Sequence, residues 1–340
     1  MVAVLLPTLL HIGMHPVTVQ NLEFSLNRSQ KGFLIKPRVV TEFLPGRDKF
    51  PGKGKFEKEI TMKVGCFALI EPFSSLDHQL QIIEDMGFKY ADVTDSHSGG
   101  SLIDTIGLTA SVSLDSNPIA LKRLFEKHGI TATTVCAHAK LLDPSNPSKY
   151  GVNEIWKAIK LASQMEVPYV ITTEMEPDTA WGKGLSLDEG ALIVAEKIHD
   201  SVELAADLGV TLLLEPHGPV TDTIIGMEAI LERCGNLSNL GVNLDTGNCW
   251  LGGSDPIEFA QHFKSRIQHI HWKDMPAEME EQRGQIYGAA MAPVALGTGI
   301  LDLPAIYSIL KDTVEHSTLE VAGADALKAS YEYLKTLGAE

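Results

Sequence analysis

Long hydrophobic runs are missing from this 340-residue chain. No stretch approaches the roughly 18 apolar residues needed to span a bilayer, so a transmembrane helix is not expected. The opening MVAVLLPTLL is apolar but lacks a basic flank and a small-x-small cleavage site, so it is not read as a signal peptide. Cysteine is scarce and scattered: Cys66, Cys136, Cys234 and Cys249 form no CxxC pair. That argues against a thiolate zinc site and a disulfide framework, and favours reduced buried thiols in a cytoplasmic setting. Positive charge is also short. The net charge is −16, and residues 1–61 hold nine Lys/Arg against five Asp/Glu, so the remainder carries −20. Such a body repels phosphate backbones, which excludes nucleic acid as an expected partner; no membrane partner is expected either.

A Gly-rich phosphate turn is absent too. The segment after the first apolar run, FALIEPFSS, is not one, which counts against an open dinucleotide-binding sheet. What is present is alternation. Short apolar runs read as strands: KVGCFAL (63–69), YADVTD (90–95), ATTVCAH (132–138), YVITTE (169–174), TLLLEP (211–216), LGVNLD (240–245), IQHIHW (267–272) and STLEV (317–321). Amphipathic segments such as PIALKRLFEKHG and NEIWKAIKLASQM separate them, and several end in a capping glycine. Eight βα units over the span from Met62 predict an α/β fold, a closed (β/α)8 TIM barrel. Residues 1–61 show scattered Gly, Pro and charge without a period. They are expected to be an irregular or disordered extension, and residues 62–340 the barrel.

Chemistry in such a barrel sits where strands end. Strand five ends in Glu215, strand six in Asp245, strand seven reaches His271, and strand eight carries Glu320. Strand side chains alternate faces, so Ile270 and Trp272 share one side of HIHWKD while His269, His271 and Lys273 share the lumen side. Three carboxylates and an imidazole converging at one depth need a cation. With no thiolate among them, they favour a hard divalent ion, Mn2+ first, with Mg2+ or Co2+ as alternatives. His269, one layer deeper, reads as structural.

Around this quartet stand candidate substrate-binding residues. His138 and His217 either contact substrate or hydrogen-bond at the rim. Glu174 either meets substrate or pairs with Lys273, and Lys273 points into the mouth. Asn248 either holds a loop or meets a substrate hydroxyl. Trp181 and Trp250 either wall a sugar face or pack. Arg283 lies in a long segment after strand seven, MPAEMEEQRGQIYGAAMAPVALGTG, from which it could reach substrate.

The order and spacing of LLLEPHG, GVNLDTGN, HIHWKD, LGTGILDLPAI and TLEV resemble the sugar phosphate isomerase/epimerase superfamily, the xylose-isomerase-like barrels, over residues 62–338. The resemblance implies Glu215, Asp245, His271 and Glu320 as metal ligands, with Glu215 and Glu320 doubling as the acid/base pair. One departure is Asn248, which stands where related ketose 3-epimerases often have a substrate-binding histidine. The long segment after strand seven resembles that of relatives acting on keto glycosides or keto-inositols, including C-glycoside-cleaving lyase large subunits. The function expected first is a metal-dependent isomerase or epimerase that abstracts a proton next to a carbonyl. The alternative is a lyase or dehydratase sharing that step, with His138, His217 or Glu174 as second acid. The expected partner is a small sugar or keto-sugar substrate. The expected assembly is a homo-oligomer, or a hetero-oligomer with a small subunit for a lyase.

Overall fold

Eight parallel strands close on themselves in sequence order, β1 to β8. They are Lys63–Phe67, Tyr90–Thr94, Thr131–Ala137, Tyr169–Thr172, Thr211–Leu214, Leu240–Asp245, Ile267–Trp272 and His316–Leu319. The description is of a computed structural model and covers residues 61–71, 74–94, 112–143, 152–289 and 292–340. The expectation for the N-terminal extension lies, up to residue 60, outside the described residues. Two of the eight predicted strands match end to end, β6 and β7; the others agree within one or two residues.

Helices cover the barrel, and their starts follow local chemistry. Ser186 and Glu189 close a capping box ahead of the helix Leu187–Asp207, with Ser186 N–H on Glu189 Oε2 at 2.9 Å. Asn117 caps Pro118–Lys127, whose first residue is the proline that helix starts favour. The outer core packs strand residues such as Leu212, Leu214, Ile270 and Trp272 against these helices. A separate, smaller cluster of Phe67, Cys136, Ile171 and Leu213 fills the lumen. Leu213 and Leu212 therefore point opposite ways, and Glu215 shares the lumen side with Leu213.

Among the eight strand pairings, two carry a one-residue register shift. Between β2 and β3 the pairs run Ala91↔Ala132 then Val93↔Val135, so β3 holds one extra residue opposite Asp92. Between β6 and β7 they run Val242↔Ile267 then Asn243↔His269, so Gln268 is extra. Such bulges re-aim side chains and favour functional sites. The second shift sets His271 directly beside Asp245.

The segment after β7 does not project. Asp274 gathers it: its carboxylate accepts from Met275, Gly297, Gly299 and Leu301 N–H groups at 2.9–3.1 Å. Among the described residues no helix is long and apolar enough to cross a membrane.

Candidate metal centre at the barrel mouth

Each candidate ligand is delivered by a strand end and fixed by backbone bonding. Glu215 follows β5, its N–H continuing the ladder onto Thr172 C=O at 2.9 Å. Glu320 follows β8 in the same way, bonding Trp272 C=O at 3.1 Å. Asp245 ends β6 and caps the helix Thr246–Leu251: Oδ1 accepts from Asn248 N–H at 2.8 Å, which leaves Oδ2 to face the lumen. His271 stands on β7 and is 1% exposed.

Ligand atoms of Glu215, Asp245 and His271 all lie within 4.8 Å of one another. His271 Nδ1 is 2.9 Å from Glu215 Oε2, 3.3 Å from Glu320 Oε2 and 4.0 Å from Asp245 Oδ2. Despite these distances, His271 Nδ1 makes no well-formed hydrogen bond to the carboxylates, and Asp245 Oδ2 is met by the Lys273 ammonium. A buried imidazole nitrogen that faces three carboxylates without hydrogen-bond geometry to any of them fits a coordinated cation better than an ion-pair network. Proton affinities point the same way. Burial opposes a charged imidazole at His271, yet Glu215 and the neighbouring carboxylates raise its pKa well above the usual range. Burial, opposed by Lys273, pushes Asp245 up. The cluster retains protons where a dication would supply the positive charge.

Lys273 is 2% exposed, and its Nζ lies 2.7 Å from Asp245 Oδ2 and 3.0 Å from Glu320 Oε1. Burial disfavours its charge, but Asp245 and Glu320 outweigh that and hold it protonated. Of the two roles open to Glu174, the pairing with Lys273 does not occur. Glu174 sits instead behind the loop after β5: Oε1 accepts from Val220 N–H at 2.5 Å, and Gly218 packs so closely on the carboxyl that a Cβ would collide with it. Burial raises Glu174 to about 8 and leaves Oε2 unpartnered. Asp222, fully buried on the same loop, is likewise pushed up by burial.

Two other candidates are engaged by their surroundings. Asn248 is held on three sides: Nδ2 donates to Glu215 Oε1 at 3.1 Å, and Oδ1 accepts from Lys273 Nζ at 3.1 Å and Ala289 N–H at 2.8 Å. Its amide is a clamp. Arg283 turns from the mouth: its guanidinium donates to Trp250 and Ser254 carbonyls at 2.9 and 3.0 Å and stacks over the Trp250 ring at 4.9 Å. Trp250 packs with Leu251, Met275 and Ala289, whereas Trp181 is 51% exposed.

His217 and His138 come together near the cluster. Burial lowers His217 to about 4, within the fields of Glu215, Lys273, His138 and Glu320; its Nδ1 has no partner. Gly288, at φ +76°, leaves room for its ring, which a Cβ there would overlap. His138 is half-buried, with Nδ1 3.4 Å from Thr94 Oγ1. Inspection of strand ends alone misses Asp92 and Asn243. Both are fully buried in mid-strand on the lumen side, and the period-two alternation of YADVTD and LGVNLD is the signal that finds them.

The sequence model of the xylose isomerase-like TIM barrel family matches residues 80–337. Over 144 residues the chain is 32% identical to a 3-dehydroshikimate dehydratase of Bacillus anthracis, covering 39% of this chain and 50% of that one. Over 128 residues it is 27% identical to an inosose dehydratase of Geobacillus kaustophilus, covering 34% and 41%. The aligned stretches thus span about half or less of these relatives' lengths. In fold it is similar to a D-tagatose 3-epimerase-like protein at TM-score 0.63 and 20% identity, covering 81% and 97%. It is also similar to an IOLI protein with a bound zinc atom at TM-score 0.62 and 17% identity, covering 81% and 98%.

Proposed function

The chain belongs to the xylose isomerase-like TIM barrel family, and from that premise we propose that it is a divalent-metal-dependent dehydratase of keto-cyclitols or keto sugars. It removes a proton next to a carbonyl and expels the hydroxyl β to it. This reverses the order of the two readings drawn from sequence, and the dehydratase relatives support the reversal.

The observation that carries the reading is the state of Glu215. An epimerase working through two carboxylates needs each to give or take a proton. Glu215 accepts from Asn243 Nδ2 on Oε2 at 2.8 Å and from Asn248 Nδ2 on Oε1 at 3.1 Å. Burial would raise its pKa, but His271 beside it holds it below the usual range. Held by two amides and by His271, Glu215 is suited first to ligation. Elimination needs no second carboxylate, because the departing hydroxyl ends the reaction in place of reprotonation at carbon.

Glu215, Asp245, His271 and Glu320 would hold the ion, with Mn2+ the best match to the donors and Mg2+ or Co2+ next. When bound, the ion would supply Lewis acidity at the substrate carbonyl and offset the negative charge that builds on oxygen. Lys273 pairs with Asp245 and Glu320, favouring the ionised form of each, and offers a donor at the same depth. His217 is the mobile proton carrier: its imidazole takes the proton from carbon, and the imidazolium so formed returns it to the departing hydroxyl as water. His138 flanks it at the rim.

The test is incubation of the Mn2+-loaded protein with a cyclic polyhydroxy ketone in D2O. A product lighter by one water is expected, and His217→Gln should lose roughly 10²–10⁴-fold in kcat. A product that keeps its water and is heavier by one solvent deuterium beside the carbonyl would return the reading to an epimerase.

A further inference from the structure

Beneath the ligand quartet lies a second polar layer that the proposed reaction does not use. It consists of Asp92 on β2, Thr133 on β3, Asn243 on β6 and His269 on β7, each at most 3% exposed. Asp92 Oδ2 is 3.1 Å from His271 Nε2, and Asp92 Oδ1 accepts from the Thr133 hydroxyl. Asn243 Nδ2 donates to Glu215 Oε2, so its Oδ1 faces His269 Nδ1, 2.9 Å away.

These contacts dictate where hydrogens sit. An amide that donates to Glu215 must accept from His269, so Nδ1 of His269 carries a hydrogen. Its Nε2 then accepts from Thr318 Oγ1 at 3.4 Å. A carboxylate can only accept from His271, so Nε2 of His271 carries a hydrogen. The lone pair left for a cation is then on Nδ1, the atom facing Glu215, Asp245 and Glu320.

We propose that Asp92 is a positioning residue of the metal centre: it fixes the Nε2–H form of His271 and turns Nδ1 toward the cation, in step with Glu215, which Asn243 and His269 hold from below. The proposal rests on the reading of the quartet as a metal centre. The two register shifts of the barrel support it independently. One doubles Thr133 and Thr134 opposite Asp92, and the other brings His269 level with Asn243. The bulges fall at the four-residue layer itself, where re-aiming of side chains is needed.

Calorimetric titration of the full chain with Mn2+ tests it, comparing wild type, Asp92→Asn and Thr133→Val. An asparagine of equal size can donate to Nε2, which moves the imidazole hydrogen to Nδ1 and blocks the cation. Asp92→Asn should bind Mn2+ about 10–100-fold more weakly, and Thr133→Val should be weakened less. In the Mg2+-loaded wild type, nitrogen-15 NMR of labelled histidine should find His271 protonated at Nε2. That measurement decides the question if the asparagine variant does not fold. A purely structural Asp92 would lower the unfolding midpoint and leave the dissociation constant of the folded protein unchanged, which overturns the proposal, as does a hydrogen on Nδ1. If wild type binds no divalent ion, the metal-centre reading itself falls; if only the variant result fails, the centre stands and Asp92 alone is reassigned.

Discussion

At the scale of single residues, the informative side chains are those whose hydrogen bonds are already spent. Asn248 satisfies Glu215, Lys273 and Ala289 at once. Asn248→Ala therefore frees a metal ligand and should weaken Mn2+ binding about tenfold while KM for substrate, measured at saturating metal, moves little. A KM effect without a metal effect would restore Asn248 to the substrate. Glu174 gives a second prediction. Its folded-state pKa, about 8, lies above the ordinary carboxylate value because burial disfavours the anion. The folded state then binds the proton more tightly than the unfolded one, so stability falls as pH rises from the unfolded value near 4.5 through about 8. Glu174→Gln should flatten that fall in thermal unfolding midpoints between pH 5 and 8; an unchanged slope would assign it to other groups.

At the scale of elements, the segment after β7 is tied to the helix Thr246–Leu251 by Arg283 and by Gly284 N–H on Leu251 C=O at 2.7 Å. Arg283→Ala should speed amide hydrogen exchange at Gly284 and Ala289, and lysine should not rescue it, because a point charge cannot reach several carbonyls as the planar fork does. Strands were legible from sequence because parallel, doubly buried strands read as apolar runs, and their ends expose the polar residues of the mouth. Glu215, Asp245, His271 and Glu320 could be read that way. The orientation of Arg283 and the clasp of Glu174 on the loop after β5 could not: both are set by backbone carbonyls and amides of neighbouring loops, which leave no residue-type signature. Asp92 lay within reach of the strand period but not of an inspection confined to strand ends.

At the scale of the whole molecule, the mouth concentrates Asp92, Glu215, Asp245 and Glu320 against Lys273 and His271, inside a body that is acidic overall. A ligand that binds only the folded state adds RT ln(1 + [L]/Kd), about 2.7 kcal/mol at a hundredfold excess over Kd. Saturating Mn2+ should accordingly raise the unfolding midpoint by several degrees, and chelation should reverse the rise. We propose in addition that residues 1–61 are dispensable. A chain beginning at Met62 should show the same Mn2+-dependent rise, and an insoluble or metal-blind product would count against that boundary.

The extra residue in β7 has one last consequence. Gln268 is half-buried and is itself neither a candidate ligand nor a candidate substrate residue, so replacing it with alanine should cost little. Removing it is another matter. Gln268 stands in a bulge between Ile267, which packs in the outer core beside Val242, and His269, which faces the lumen beside Asn243, so its loss would leave a regular strand with both faces kept but without the local twist that aims the imidazoles. Deletion of Gln268 should therefore leave the barrel folded and weaken Mn2+ binding, an effect carried by spacing and not by side-chain chemistry. A deletion variant that folds and binds Mn2+ as tightly as wild type would refute it.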